Sequence, residues 1–172
     1  MLQNVVIKDE NIFNIEEKEH IKDKILGNNI SFYWQANTVG NDNKSWFSHQ
    51  LINRDNQQIL SEHADFFKKI VKRFADRHKI PCNVFIRGCI NLTYPQPGES
   101  TPHVDHSFPH YQIILHLNQS DGGSTILLTS DNKIMETIEP KQFKAFCFKG
   151  DFLHYITYPK SGRRVVAVLT FI

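Results

Sequence analysis

From Pro81 onward the chain is a succession of short β-rich runs, NVFIRGCINLTY, HYQIILHLN, STILLTS, KIMETIE, QFKAFCF, LHYITY and RRVVAVLTFI. Turn-forming stretches (PQPGES, QSDGG, SDN, EPK, KGD and PKSG) separate them. Strands of β-branched and aromatic residues recurring about every ten residues, with Gly, Pro, Asn and Asp between them, predict a sandwich or a barrel-like jelly roll. The first eighty residues read differently. Asn14-x-x-Glu17 has the form of a capping box, Ile21, Ile25 and Leu26 follow it, and Gly27 supplies a stop. ISFYWQANTV, the turn cluster GNDNK and WFSHQLI predict a β-hairpin. Ser61 is placed to cap a helix in which Phe67, Ile70, Val71 and Phe74 recur at helical spacing to about His78. Lys68, Lys69, Lys72 and Arg73 would then face solvent. The expected fold class is mainly β with flanking helices (α+β), the helices covering an apolar face of one sheet.

Length and charge narrow the function classes. A chain of 172 residues with 40% apolar residues fits a single soluble domain with a real core. That domain divides into a flank over residues 1–80 and a β core over 81–172. A net charge of +2 implies neither a nucleic-acid nor a membrane partner. The opening MLQNVVIKDENIF lacks a basic start followed by a long apolar stretch, so a cytoplasmic location is expected. Cys82, Cys89 and Cys147 are odd in number and lack CxxC spacing, which argues against a disulfide framework or a structural zinc site.

Histidine is the unusual component. Of nine, four (His103, His106, His110 and His116) fall within fourteen residues. His103-Val104-Asp105, with His154 about fifty residues on, offers two imidazoles and a carboxylate, the facial donor set of non-haem Fe(II). It leaves three positions open, enough for a chelating cosubstrate and dioxygen. Side chains two apart on a strand share a face, so one strand end can present both His103 and Asp105 to a metal. H-x-D alone is a weak signal, because roughly half an occurrence is expected by chance in a chain this rich in His and Asp. The bland alternative is a surface hydrogen-bonded pair. Context favours the metal: Arg163 and Arg164 follow His154 by nine and ten residues, and an arginine there can grip a carboxylate with two parallel donors.

The stretch from about Asn83 to Ile172 resembles the catalytic core of the 2-oxoglutarate/Fe(II) oxygenases, in particular the prolyl-hydroxylase-like branch and small phage-encoded members. The features that carry the resemblance occur in order: Tyr94-Pro95, His103-Val104-Asp105, Leu117-Asn118, Gly122-Gly123, Ile138-Glu139-Pro140, FCF, His154 and the terminal GRRVVAVLTF. The resemblance implies a double-stranded β-helix (a jelly roll, as in cupins). It also implies an Fe(II)- and 2-oxoglutarate-dependent dioxygenase that hydroxylates an unactivated C–H bond with release of succinate and CO2. Its substrate would be a peptidyl side chain such as proline, with a small molecule still open. His103, Asp105 and His154 would hold iron, while Tyr94 and one arginine would hold the far carboxylate of 2-oxoglutarate. A G-x-R-V pattern in relatives selects Arg164, whereas a nine-residue spacing in some prolyl hydroxylases would select Arg163. Relatives carry a tyrosine near the position of His116, so His116 either replaces that contact or is a core histidine. His106 and His110 read as substrate-edge or solvent residues, Gly122-Gly123 as a plain hairpin turn, Phe146 and Phe148 as core, and Cys147 as a small buried hydrophobe. The alternative function is a non-catalytic or differently metallated cupin-like protein.

Overall fold

A computed structural model describes residues 6–172, so the first five residues of the opening segment lie outside it. Two sheets face one another. The larger has seven antiparallel strands in the order β1-β9-β5-β12-β4-β3-β2. These are β1 (Val6–Asp9), β2 (Tyr33–Gln35), β3 (Trp46–Ile52), β4 (Phe85–Thr93), β5 (Tyr111–His116), β9 (Ala145–Lys149) and β12 (Arg164–Phe171). Opposite it lie β7 (Thr125–Leu128), β8 (Ile134–Ile138) and β10 (His154–Ile156) in the order β10-β7-β8, with β6 (Asp121–Gly122) paired to β11 (Pro159–Ser161). This is a jelly roll. All seven runs expected after Pro81 are strands, and the β2–β3 hairpin forms as expected, with Tyr33 opposite Ser48.

The flank is less separate than its sequence implies. It contributes β1, β2 and β3 to the main sheet, and β1 was not expected at all. Val6–Asp9 pairs with Phe148–Ala145 because that strand would otherwise leave an open edge. The capping box is present: Asn14 accepts from the Glu17 N–H at 2.8 Å, and Glu17 accepts from the Asn14 N–H at 2.9 Å. It starts α1 (Ile15–His20), which widens into a π-helical turn over Ile21–Ile25 and ends at Leu26. Helix α2 runs from Ala64 to His78, two residues later than a Ser61 cap would start it. The Ser61 hydroxyl instead accepts from the His63 N–H and bonds the His49 ring, closing the turn ahead of the helix.

The basic face of α2 is only partly solvated, which corrects the expectation for Arg73. Its guanidinium forms a two-pronged pair with Glu17 (2.9 and 2.7 Å) and reaches the Ile12 carbonyl. One turn on, Arg77 and His78 converge on buried Asp9 at 2.7 and 3.1 Å. Burial alone would raise the Asp9 carboxyl, but the Asn11 N–H, His78 and Arg77 outweigh it and hold it below its ordinary value. The apolar face of α2 (Phe67, Ile70, Val71 and Phe74, all fully buried) lies on the main sheet.

Alternation then sorts the main sheet into two faces. Toward the helices point Ile90, Leu92, Ile113, Leu115, Cys147, Val165, Ala167 and Leu169. Toward the second sheet point Cys89, Ile114, Phe146, Phe148, Val166 and Val168, packed on Leu127 and Ile138. Both faces are apolar in the middle. Only the inner face turns polar toward its ends, and there the cavity opens.

Candidate metal and cosubstrate site

Two backbone hydrogen bonds close the fifty-residue gap between the outer members of the motif. The His103 N–H donates to the His154 carbonyl and the His154 N–H donates to the His103 carbonyl, both at 2.9 Å. The two histidines thus form an isolated antiparallel bridge beside β10, rather than His103 lying on a regular strand. Their rings lie 4.6 Å apart, centroid to centroid. Each ring is oriented from behind. Nδ1 of His103 bonds the Thr101 carbonyl at 2.9 Å, and Nδ1 of His154 bonds the Phe152 carbonyl at 3.2 Å. A carbonyl only accepts, so each Nδ1 carries the proton and each Nε2 presents a lone pair, the tautomer a metal ligand requires.

Asp105 completes the group. Its side chain is 9% exposed, and its Oδ2 stands 3.8 Å from Nε2 of His154. Its other oxygen, Oδ1, accepts from Arg87 at 2.9 Å and from Arg54 at 3.4 Å. Burial pushes the Asp105 carboxyl up, but Arg87, then His154, His103 and Arg54, overcome it and keep the group below the ordinary carboxylate range. Burial holds the His154 imidazole below its ordinary value despite Asp105 beside it. Among the described residues no three His, Cys, Asp or Glu side chains close tightly on one point. Here Asp105 is drawn toward the two arginines. The donor set nevertheless fits a divalent metal of the iron class: two imidazole nitrogens and one ionised carboxylate oxygen, all at one cavity.

That cavity has a volume of about 580 Å³ and runs between the sheets from His103, Asp105 and His154 to Arg164. Arg164 is 3% exposed and has no acidic partner among the described residues. One Nη donates to the Thr125 hydroxyl at 3.1 Å, and its Nε is buried without a partner among the described residues. Burial alone lowers its guanidinium to about 10. Burying an unpaired guanidinium is costly, and an anion entering the cavity would relieve that cost. Gly123 makes room for it. A Cβ there would stand 2.7 Å from Cδ of Arg164, so the pair of glycines is more than the plain hairpin turn expected. Arg163 points the other way, exposed, and donates to the Leu26 carbonyl at 2.9 Å.

Tyr94 falls outside the cavity, contrary to the expectation that it meets the cosubstrate. It is 48% exposed and its ring packs edge-on against Phe47. The reason is alternation: Thr93, directly opposite Arg164 across β4 and β12, takes the inward position, and its neighbour must face out. The Thr93 hydroxyl lines the cavity, buried and without a partner. His116 is 1% exposed and adjoins Val166 across β5 and β12, with Nε2 unpartnered and its ring edge-on to Phe146. Burial, then Arg164 and Lys144, hold it neutral, well below the ordinary histidine value. His106 bonds the Thr170 hydroxyl and burial lowers it to about 4, while His110 is buried with its Nδ1 on the Phe108 carbonyl.

Sequence reading missed Arg87, Thr93 and Gln112. Gln112 reaches Nε2 of His154 at 3.3 Å. The available signal was period-two polarity: Arg87, Cys89, Asn91 and Thr93 alternate with Gly88, Ile90 and Leu92 along β4. A second hollow of about 560 Å³ lies beside His49 and His63. Both nitrogens of His49 are already engaged there, by Ser31 and Ser61.

No family model matches the chain, and no curated protein matches it in sequence. Solved structures do match its fold. An oxidoreductase of the 2OG-Fe(II) oxygenase family from Burkholderia pseudomallei superimposes with a TM-score of 0.79 at 12% identity, covering 97% of this chain and 84% of that one. A prolyl hydroxylase from Trichoplax adhaerens, in complex with a hypoxia inducible factor oxygen degradation domain peptide fragment, gives 0.70 at 14%, covering 98% and 84%. A Pseudomonas putida prolyl-4-hydroxylase gives 0.66 at 13%, covering 97% and 91%. Over nearly its whole length, this chain has the jelly-roll fold of the 2-oxoglutarate/Fe(II) oxygenases, prolyl hydroxylases among them.

Proposed function

We propose that the protein is an Fe(II)- and 2-oxoglutarate-dependent dioxygenase that hydroxylates an unactivated C–H bond and releases succinate and CO2. The observation that carries the reading is Arg164, a buried guanidinium without a counter-charge at the inner end of the cavity that has His103, Asp105 and His154 at its other end. A purely structural metal site has no need of a carboxylate clamp in the same cavity. In this reading His103 and His154 give their Nε2 lone pairs and Asp105 a carboxylate oxygen to iron, which when bound supplies the activation of dioxygen.

The rest of the chemistry belongs to the chain. Arg164, with the unpartnered Thr93 hydroxyl beside it, takes the far carboxylate of 2-oxoglutarate. Neutral His116, opposite Val166 across the sheet, adds no competing charge nearby. Val166, Val168 and Ile114 exclude water from the space between, which strengthens every electrostatic contact inside. A peptidyl side chain such as proline is the proposed target, on the strength of prolyl hydroxylases among the structural matches.

The test is anaerobic addition of 2-oxoglutarate to the Fe(II)-loaded protein, followed by admission of air. A metal-to-ligand visible absorption band should appear first, then succinate, released faster when a suitable proline-containing peptide is present. Asp105→Ala should lose the band and the turnover while keeping the fold. Iron binding without 2-oxoglutarate binding would instead favour a cupin-like metal-binding protein.

A further inference from the structure

The two oxygens of Asp105 are not equivalent. Oδ1 accepts from Arg87 at 2.9 Å and from Arg54 at 3.4 Å, whereas Oδ2 is the oxygen facing Nε2 of His154. We infer that Arg87 is a positioning residue: by holding Oδ1 it makes Asp105 offer a metal one oxygen, so that the carboxylate cannot chelate. This rests on reading His103, Asp105 and His154 as the iron ligands.

A free carboxylate is symmetric and can bind a metal through one oxygen or two. A two-oxygen mode would fill one of the three positions that a facial triad leaves open. A guanidinium bond to a carboxylate is charge-assisted and roughly twice as strong as a neutral hydrogen bond, so it biases that choice. Arg87 is built for the task. It projects from near the start of β4, where Thr170 of β12 is its cross-strand partner, and only 20% of its side chain is exposed. Arg54 is not so placed. It stands on the 53–58 turn, 47% exposed, with the longer contact. A cation beside a metal also repels it, so metal affinity mixes two opposing effects. The count of open positions does not.

Mn(II) is the probe, and water-proton relaxation counts its bound exchangeable waters. The wild type should hold about three, the number a facial triad leaves open. Arg87→Ala should lose about one of them, a fall of roughly one third in inner-sphere relaxivity, as Asp105 closes onto the metal. Arg87→Lys should restore the wild-type count by donating to the same oxygen. Arg54→Ala should match the wild type. With Asp105→Ala already present, adding Arg87→Ala should change nothing, which a merely structural role would not produce. Should Arg87→Ala not fold, Arg87→Met keeps the buried stem and carries the same comparison. Unchanged hydration in the Arg87 variants, or an equal loss in Arg54→Ala, overturns the assignment while leaving the iron site standing. A wild type that binds no Mn(II) overturns both.

Discussion

The two faces of the main sheet are built from the same strands and obey different demands. On β12, Val165, Ala167, Leu169 and Phe171 meet the helices, and all are buried and apolar. The alternate residues Arg164, Val166, Val168 and Thr170 face the other way, the first three lining the cavity, and both the first and the last are polar and buried. The same holds for β5, where Ile113 and Leu115 oppose Gln112, Ile114 and His116. The helix face can be close-packed because nothing has to enter it. The cavity face carries unpartnered polar atoms on Thr93, Gln112 and Arg164, which would be liabilities in any interior meant only to be stable. Both faces bury apolar residues, but the cavity face also carries polar groups without a partner among the described residues.

The largest expected effect tests that division on the helix side. Leu169→Ala should cost about 2–5 kcal/mol of stability, as a cavity in a close-packed core. Turnover per folded molecule should be untouched, measured by denaturant unfolding beside succinate release. A comparable loss of turnover would mean that the two faces are coupled.

The cavity side should show the reverse. Arg164→Met removes an unpaired buried charge and should leave the stability of the free protein unchanged or raised. It should also raise the Michaelis constant for 2-oxoglutarate by roughly 100-fold, about 2.7 kcal/mol of lost carboxylate pairing. Arg163→Ala should change that constant less than about twofold, since its guanidinium serves only the Leu26 carbonyl. A large rise in the Arg163 variant alone would sink the assignment.

A smaller effect follows from pH. His116 is held neutral by burial, with a folded-state value below the unfolded value of about 6.5. The unfolded chain then binds more protons below about pH 6.5, so stability falls as pH drops from there toward the folded-state value. The slope from one such histidine is at most about 1.4 kcal/mol per pH unit. His116→Phe should flatten the acid limb of a plot of unfolding free energy against pH. An unaltered limb would place the acid sensitivity elsewhere, His154 being the next buried neutral imidazole.

Much of this was legible from the chain. The strand runs after Pro81, the α1 capping box, the β2–β3 hairpin and the apolar stripe of α2 are local patterns, and local geometry sets them. The failures share a physical cause. Val6–Asp9 is too short to announce itself, and it is a strand only because β9 offers it an edge. Ser61 has the right chemistry for a cap, but its hydroxyl is taken by His49 and by the turn before α2. Tyr94 was assigned by likeness to relatives, while the period of the strand gives the inward place to Thr93.

For the site, residue types and spacing were enough to nominate His103, Asp105 and His154, because few donor sets suit non-haem iron. They were also enough to reduce the arginine question to two neighbours. Alternation could go no further, because it says that Arg163 and Arg164 face opposite ways without saying which way is in. That choice depends on which face of β12 the helices cover, and hence on contacts with residues near the other end of the chain. The same dependence governs the bridge that sets His103 against His154, and Arg87 reaching Asp105 from a different strand. A period of two has two equivalent phases, and only packing against a second layer makes them different.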